Sequence, residues 1–225
     1  MLGHRVVDLT MPLDDHFRWQ TQRRTTGPRS YNNPFQVTWL TTSVHAFTHL
    51  DTPRHILDDG FTTDDLTLDQ VMGPAAVMDL SGDIAPDEAL SAARLAAVAP
   101  PMAAGEIILF KTAWETHYPH TVPEYWTRAP YLTREASEWL WDRAPRAVAF
   151  DFPQDEVIRL SLHGETRPLA ENVTHDVLLR RGVILVEYLS NTHALTRERL
   201  QFCALPLKIA HSDGAPARVI ALEEP

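Results

Sequence analysis

The apolar positions of the chain come in short runs, most of them rich in β-branched and aromatic residues and too brief for a helix. Residues 5–10 (RVVDLT), 35–44 (FQVTWLTTSV), 75–80 (AAVMDL), 107–111 (IILFK), 147–152 (AVAFDF), 183–189 (VILVEYL) and 218–222 (RVIAL) therefore predict strands. Three segments carry helix signals instead. Residues 86–98 (PDEALSAARLAAV) place Pro and acids in a first turn. Residues 133–143 (TREASEWLWDR) begin at Thr133, a suitable N-cap, and residues 174–181 (THDVLLRR) run into Gly182, a suitable stop. Between the first two strands, residues 14–34 are polar and aromatic and contain Trp19, Gly27, Pro28 and Pro34. That segment predicts a long loop or arm, and long loops in compact domains tend to be functional.

Strands and helices mix without the strict alternation of a doubly wound sheet. The expected fold class is α/β (α+β), built on a mixed β-sheet. A chain of 225 residues fits one domain of generous size or two small ones. The Pro-rich stretches at 100–101 and 119–130 read as loops, so one domain over 1–225 is expected, with 11–34 as a candidate N-terminal arm. Composition changes little: 44% hydrophobic and 22% charged is ordinary for a globular protein. Charge excludes more. A net charge of −10 with no Lys/Arg run argues against a nucleic-acid partner or an anionic membrane surface. No apolar stretch approaches the roughly 18 residues of a membrane span, and the N-terminus turns polar too early for a signal peptide, so a cytoplasmic location is expected. A single cysteine, Cys203, allows neither an internal disulfide nor a thiolate zinc site.

The 11 histidines matter through their placement. Residues 45–55 read HAFTHLDTPRH, with three histidines and an aspartate directly after a predicted strand. Neutral imidazole and carboxylate are good ligands for zinc or manganese. The four-residue step from His45 to His49 would suit a helix face, but the β-branched run before it and Pro53 after it oppose a helix. In an extended segment His49 and Asp51 point to the same side. Asp51, with two oxygens, is able to bridge two ions. An ordinary polar loop is the competing reading. His55, beyond Pro53, is the candidate general base and acid.

A second constellation lies in residues 172–191 (NVTHDVLLRRGVILVEYLSN). Glu187 is the one charged residue in VILVEYL, and an unpaired buried carboxylate is costly. If that strand is internal, Glu187 must meet a cation. Otherwise it is an edge strand, or Glu187 pairs with Arg180, Arg181 or Lys208. His175, near the start of the preceding helix, comes close to Glu187 if the helix, a tight Gly turn and an antiparallel return follow one another.

These residues resemble a known family. HAFTHLDTPRH is similar to H-x-G-T-H-x-D-x-P-x-H, the signature of bacterial kynurenine formamidases and cyclase-like metal hydrolases, which include arylformamidases and isatin hydrolase. THDVLLRRGVILVE resembles the family's second metal-binding segment, and LPLKIAHSDGAPARVIAL its C-terminal strand region. The resemblance implies a compact swivelling β/β/α fold, a homodimer or homotetramer, and one or two Zn2+ or Mn2+ ions per subunit. By position it implies metal ligands at His45, His49, Asp51, His175 and Glu187, and proton transfer by His55. It also implies a small-molecule substrate, aromatic or cyclic, and hydrolysis of an amide (an arylformamide or cyclic amide) by metal-activated water. One position departs: Phe47 stands where the family has glycine, a residue that permits conformations and close approaches Phe does not.

Other residues weigh less. Asp151 and Asp155 in DFPQD either line the pocket or cap a turn. His163, His193 and His211 have no ligand spacing and are expected at the surface or behind the site. Phe17, Trp19 and Tyr31 in the arm cover an aromatic substrate, fill the core or make an oligomer contact. Ser161 and Ser190 lack the G-x-S-x-G context of a serine hydrolase. Lactone hydrolysis or a cyclase/dehydratase-type lyase on the same metal site, and a metal- or ligand-binding protein without turnover, remain alternatives.

Overall fold

The computed structural model describes residues 3–27, 29–30, 34–162 and 165–224, with the Ser161 side chain left aside. Its strands are β1 (Arg5–Asp8), β2 (Gln22–Thr25), β3 (Thr38–Thr41), β4 (His49–Asp51), β5 (Met72–Asp79), β6 (Ala89–Leu90), β7 (Ile107–Lys111), β8 (Tyr131–Leu132), β9 (Ala147–Ala149), β10 (Ile184–Glu187), β11 (Arg199–Pro206) and β12 (Gly214–Glu223). The helices are α1 (Ala92–Val98), α2 (Pro123–Thr127), α3 (Arg134–Trp141), α4 (Ile158–Ser161) and α5 (Val173–Val177). The main sheet runs β1-β12-β11-β5-β7-β9-β10-β4, and β4 pairs again with β12. That pairing closes seven strands into a barrel. β5, β7, β9 and β10 are mutually parallel and the other pairings antiparallel, so the sheet is mixed as expected.

Period-two alternation divides the strands between two cores. Ile107, Leu109, Ala147, Ala149, Ile184 and Val186 face one apolar cluster, with Leu50, Ala75, Phe202, Ala204 and Val219. The many alanines suit the narrow inside of a small barrel. Ile108, Phe110, Val148 and Leu185 face a second cluster outside it, with Leu95 of α1, Leu140 of α3 and Val177 of α5. The same alternation sends His49, Asp51 and Glu187 to the outer face. β4 and β10 pair with Glu187 opposite His49 and Leu185 opposite Asp51, so the register alone puts these polar side chains on one patch.

Several expectations shift. The helix predicted over 86–98 starts only at Ala92, where the Ser91 hydroxyl accepts from Arg94 N at 3.2 Å. The residues before it instead form β6, paired in parallel with β8. The strand predicted over 35–44 shortens to β3 and pairs with β2, so part of the expected loop at 14–34 is a two-stranded ribbon exposed along its whole length. The strand over 147–152 leaves the ladder after Ala149, and the helix over 174–181 divides into α5 and a 3-10 turn at Leu179–Arg181. Gly182 ends that turn in the left-handed region, at φ 88°. β11 was not anticipated.

Candidate metal centre

Residues 45–48 turn the chain from β3 into β4. Thr48, fully buried, pins the turn: its hydroxyl donates to the Tyr188 carbonyl at 2.6 Å and accepts from Met11 N at 2.8 Å. Phe47 takes φ 59°, the left-handed conformation that glycine adopts freely. Its carbonyl accepts from His49 Nδ1 at 2.8 Å. A carbonyl only accepts, so Nδ1 carries the proton, and in the neutral ring Nε2 presents a lone pair. That Nε2 lies 3.3 Å from Asp51 Oδ1 and 3.8 Å from Glu187 Oε2. After β4, Pro53 opens a 3-10 turn that carries His55 back, its ring 3.9 Å from that of His45 and 5.7 Å from that of His175.

The second segment arrives from the other side. His175 sits on α5, with Nε2 3.4 Å from Asp51 Oδ2 and 3.5 Å from Glu187 Oε1. Its Nδ1 donates to Asp155 Oδ2 at 2.7 Å. Glu187 is 3% exposed, which excludes the reading of a solvent-facing edge acid. Gln154 Nε2 donates to its Oε1. All six residues singled out in the sequence thus meet in one place. Asp51 turns Oδ1 toward His45 and His49 and Oδ2 toward His175, and Glu187 divides its oxygens likewise.

One carboxylate at the centre was missed in the sequence. Asp213 Oδ2 lies 2.8 Å from His45 Nε2 and 3.3 Å from His55 Nδ1. Gly214 beside it is a close approach: a Cβ there would come within 2.7 Å of His45 Cε1. The Asp-Gly pair at the start of the last strand was the available signal. Gln154 was missed too, although it adjoins Asp155.

Charge pairing shapes the titration of the metal-free site. Burial opposes ionisation of His45, but the carboxylates of Asp51 and Asp213, one on each ring nitrogen, raise it to about 9. Burial likewise opposes the charge on Asp51, yet the imidazoles of His49, His175 and His45 hold it well below the usual carboxylate range. His175 is raised well above the ordinary imidazole value: Asp155 and Asp51 outweigh burial. His55 moves the other way. Burial lowers it, and the charges of His45 and His175 work in the same direction, against the pull of Asp51 and Asp213.

The centre lies in a cleft of about 430 Å³ lined also by Arg18, Trp19, Arg167, Asn172 and Tyr188. Trp19 rests on Phe47 at 4.6 Å and on Trp126 at 5.1 Å between ring centres. Phe47 therefore packs beneath the cleft wall, while Phe17 stacks on His16 at the surface. Asp151 caps backbone: buried, it accepts from Thr112 N, Ala113 N and the Thr112 hydroxyl. Ser190 donates to Glu115. His193 and His211 are exposed, facing Glu115 and Asp64. Tyr31, His163 and the Ser161 side chain lie outside the described residues.

Buried imidazoles and carboxylates converging from three segments are the donor set of a hard or borderline divalent cation, so the residues fit such an ion. The family model described as putative cyclase matches residues 7–156, and the chain belongs to that family. It is similar to the kynurenine formamidase of Salinibacter ruber, 29% identical over 216 residues that cover 95% of this chain and 91% of that one. The kynurenine formamidase of Geobacillus thermodenitrificans is 27% identical over 221 residues, covering 94% of each. Among solved structures, isatin hydrolase A from Labrenzia aggregata, bound to benzyl benzoate, shares the fold with a TM-score of 0.84 at 21% identity, covering 100% of this chain and 95% of that one.

Proposed function

We propose that the chain is a metal-dependent hydrolase that cleaves an amide bond, in an arylformamide or a cyclic amide, using zinc or manganese. His45, His49, Asp51, His175 and Glu187 are the ligands for one or two ions, and His55 is the proton carrier. The observation that carries this reading is the division of the Asp51 and Glu187 oxygens between imidazoles on opposite sides. When bound, the ion supplies Lewis-acid polarisation of a carbonyl and makes hydroxide available near neutral pH. His55, at the cleft and free of the backbone, accepts the proton from water and returns it to the leaving nitrogen. Trp19 and Tyr188 give the cleft flat apolar walls for an aromatic or cyclic substrate. The kynurenine formamidases above support the choice of amide over other bonds.

Assembly as a homodimer or homotetramer belongs to the same reading. The β2–β3 ribbon supports it, because Val37, Trp39 and Leu40 stay 45–50% exposed there and a lone hairpin is marginal in water. Among the described residues no helix is long and apolar enough to cross a membrane.

The test is elemental analysis of the purified protein, then assay of a panel of aryl formamides, isatins and lactones before and after chelation. Zinc or manganese and chelator-sensitive turnover are expected, and full activity in metal-free protein would end the reading. Run in oxygen-18 water, hydrolysis must place solvent oxygen in the product. Its absence would move the reaction to the lyase or cyclase class.

A further inference from the structure

His175 and Glu187 come from different elements, yet one turn holds both. Gln154 and Asp155 are adjacent, just after β9, and both are buried to 2% exposure or less. Asp155 accepts from His175 Nδ1 at 2.7 Å and is itself fixed by Thr174 N and the Thr174 hydroxyl, each at 2.8 Å. Gln154 Nε2 donates to Glu187 Oε1, and its backbone carbonyl accepts from Leu132 N at 2.9 Å. The turn thus sets the ring plane of His175 and one oxygen of Glu187, and it leaves His175 Nε2 facing Asp51 Oδ2. On the other side of Asp51 the support differs. His49 is held by the Phe47 carbonyl, but His45 depends on Asp213, whose side chain is 41% exposed and is shared with His55.

Groups that orient a metal-bound imidazole from behind are worth roughly 10–100-fold in metal affinity. They act most where burial and further hydrogen bonds fix them, as Thr174 fixes Asp155, because little reorganisation is then needed on binding. We propose that the Gln154–Asp155 turn makes the inner position, on His175, Glu187 and the Oδ2 side of Asp51, a preformed site that takes the first ion. The outer position, on His45, His49 and the Oδ1 side of Asp51, takes the second ion and exchanges it more readily. Gln154 and Asp155 are positioning residues, acting through Glu187 and His175. The proposal rests on reading the site as a metal centre.

The experiment is a zinc titration of chelator-stripped full-length protein against a competing chelating dye, with bound ions counted by native mass spectrometry. Wild type should take up zinc in two steps, the first about tenfold tighter or more. Asp155→Asn, nearly isosteric but uncharged, should weaken the first step by about 10–100-fold and leave the second little changed. Asp213→Asn should do the reverse. Circular dichroism checks folding, and Gln154→Met, which removes the donor to Glu187, serves if Asp155→Asn does not fold. A single ion that is lost on Asp155→Asn and kept on Asp213→Asn supports the same order. Equal steps in wild type, or an Asp155→Asn variant that weakens both steps alike, overturn the ranking and leave the metal reading intact. No zinc uptake by wild type would overturn both.

Discussion

His175 and His45 are placed alike on paper. Each has one ring nitrogen against Asp51 and the other against a second aspartate, Asp155 at 2.7 Å for His175 and Asp213 at 2.8 Å for His45. Their surroundings differ. Asp155 is wholly enclosed and has two further donors, whereas Asp213 stays 41% exposed and serves two imidazoles. Coulomb attraction at similar distance is several-fold weaker near water than in a dry interior, so the same pairing holds the inner imidazole firmly and the outer one loosely. In the proposed reading the inner half holds an ion, and the outer half, whose His45 ring lies nearer to His55, exchanges protons and ligands.

The largest effects should come from breaking the inner half. Glu187→Gln keeps the shape and removes the charge. Metal occupancy should fall, turnover should be lost, and the melting temperature should no longer respond to added metal, since ligand-linked stabilisation needs binding. His175→Ala should behave the same way. Glu187→Leu should bind metal no better, yet it should fold, because a buried charge and its desolvation cost vanish together. Metal content and melting curves of the three variants check this. Wild-type occupancy in all of them would confine the site to residues 45–55.

The outer half should respond differently. His55→Ala is expected to keep its metal and lose roughly 10²–10⁴-fold in turnover, the usual share of a general acid/base. Loss of metal in this variant would make His55 a ligand and dissolve the division of labour between the halves.

The contrast between the halves was only partly legible in the sequence. The ligand types were readable, because β4 and β10 are short, extended and locally encoded. The step of two from His49 to Asp51 and the lone acid of VILVEYL both follow from strand alternation. The supporting carboxylates were harder. Asp155 was weighed alongside Asp151, and residue types alone do not say which of the two reaches His175. Asp151 instead caps the Thr112–Ala113 backbone, a contact made across 39 residues. Asp213 stands 168 residues from His45, and only closure of the barrel through β4 and β12 brings them together. The late start of α1 was a local matter: Ser91 offered a better cap than the Pro86 turn.

Phe47 sits under the outer half, and its replacement should have a mixed, intermediate effect. Phe47→Gly removes a ring that is 1% exposed, and losing a buried Phe side chain costs about 3–5 kcal/mol. Relief of the left-handed backbone returns about 1–3 kcal/mol. A net fall in melting temperature is therefore expected. Trp19 loses its support, so KM for aromatic substrates should change more than inner-site metal affinity. An unchanged substrate profile in a folded variant would show that Phe47 does not shape the cleft.

The smallest effect expected is a pH dependence of stability in the metal-free protein, and it reads the outer half directly. His45 is raised from 6.5 to about 9 by its two carboxylates. A group whose folded pKa lies above its unfolded value stabilises most when both states are protonated. Its contribution is thus fully present below about pH 6.5 and is lost as pH rises through about 9. His175, also raised, adds a loss of the same sign on the alkaline side. His55 has the opposite sign: its folded value is lowered, so it costs stability as pH falls through the ordinary imidazole range. The variant His45→Asn, compared with wild type, removes the His45 contribution together with the part of the His55 lowering that the His45 charge causes. Between pH 6.5 and 9 the melting temperature of chelator-treated wild type should fall by a few degrees more than that of the variant, about 2–4 °C per kcal/mol for a chain of this size. Added zinc should lift the wild type above the variant across this range, since only the wild type keeps the His45 imidazole to hold an ion in place of its proton. Parallel curves for the two proteins without metal would show that Asp51 and Asp213 do not hold a charged His45.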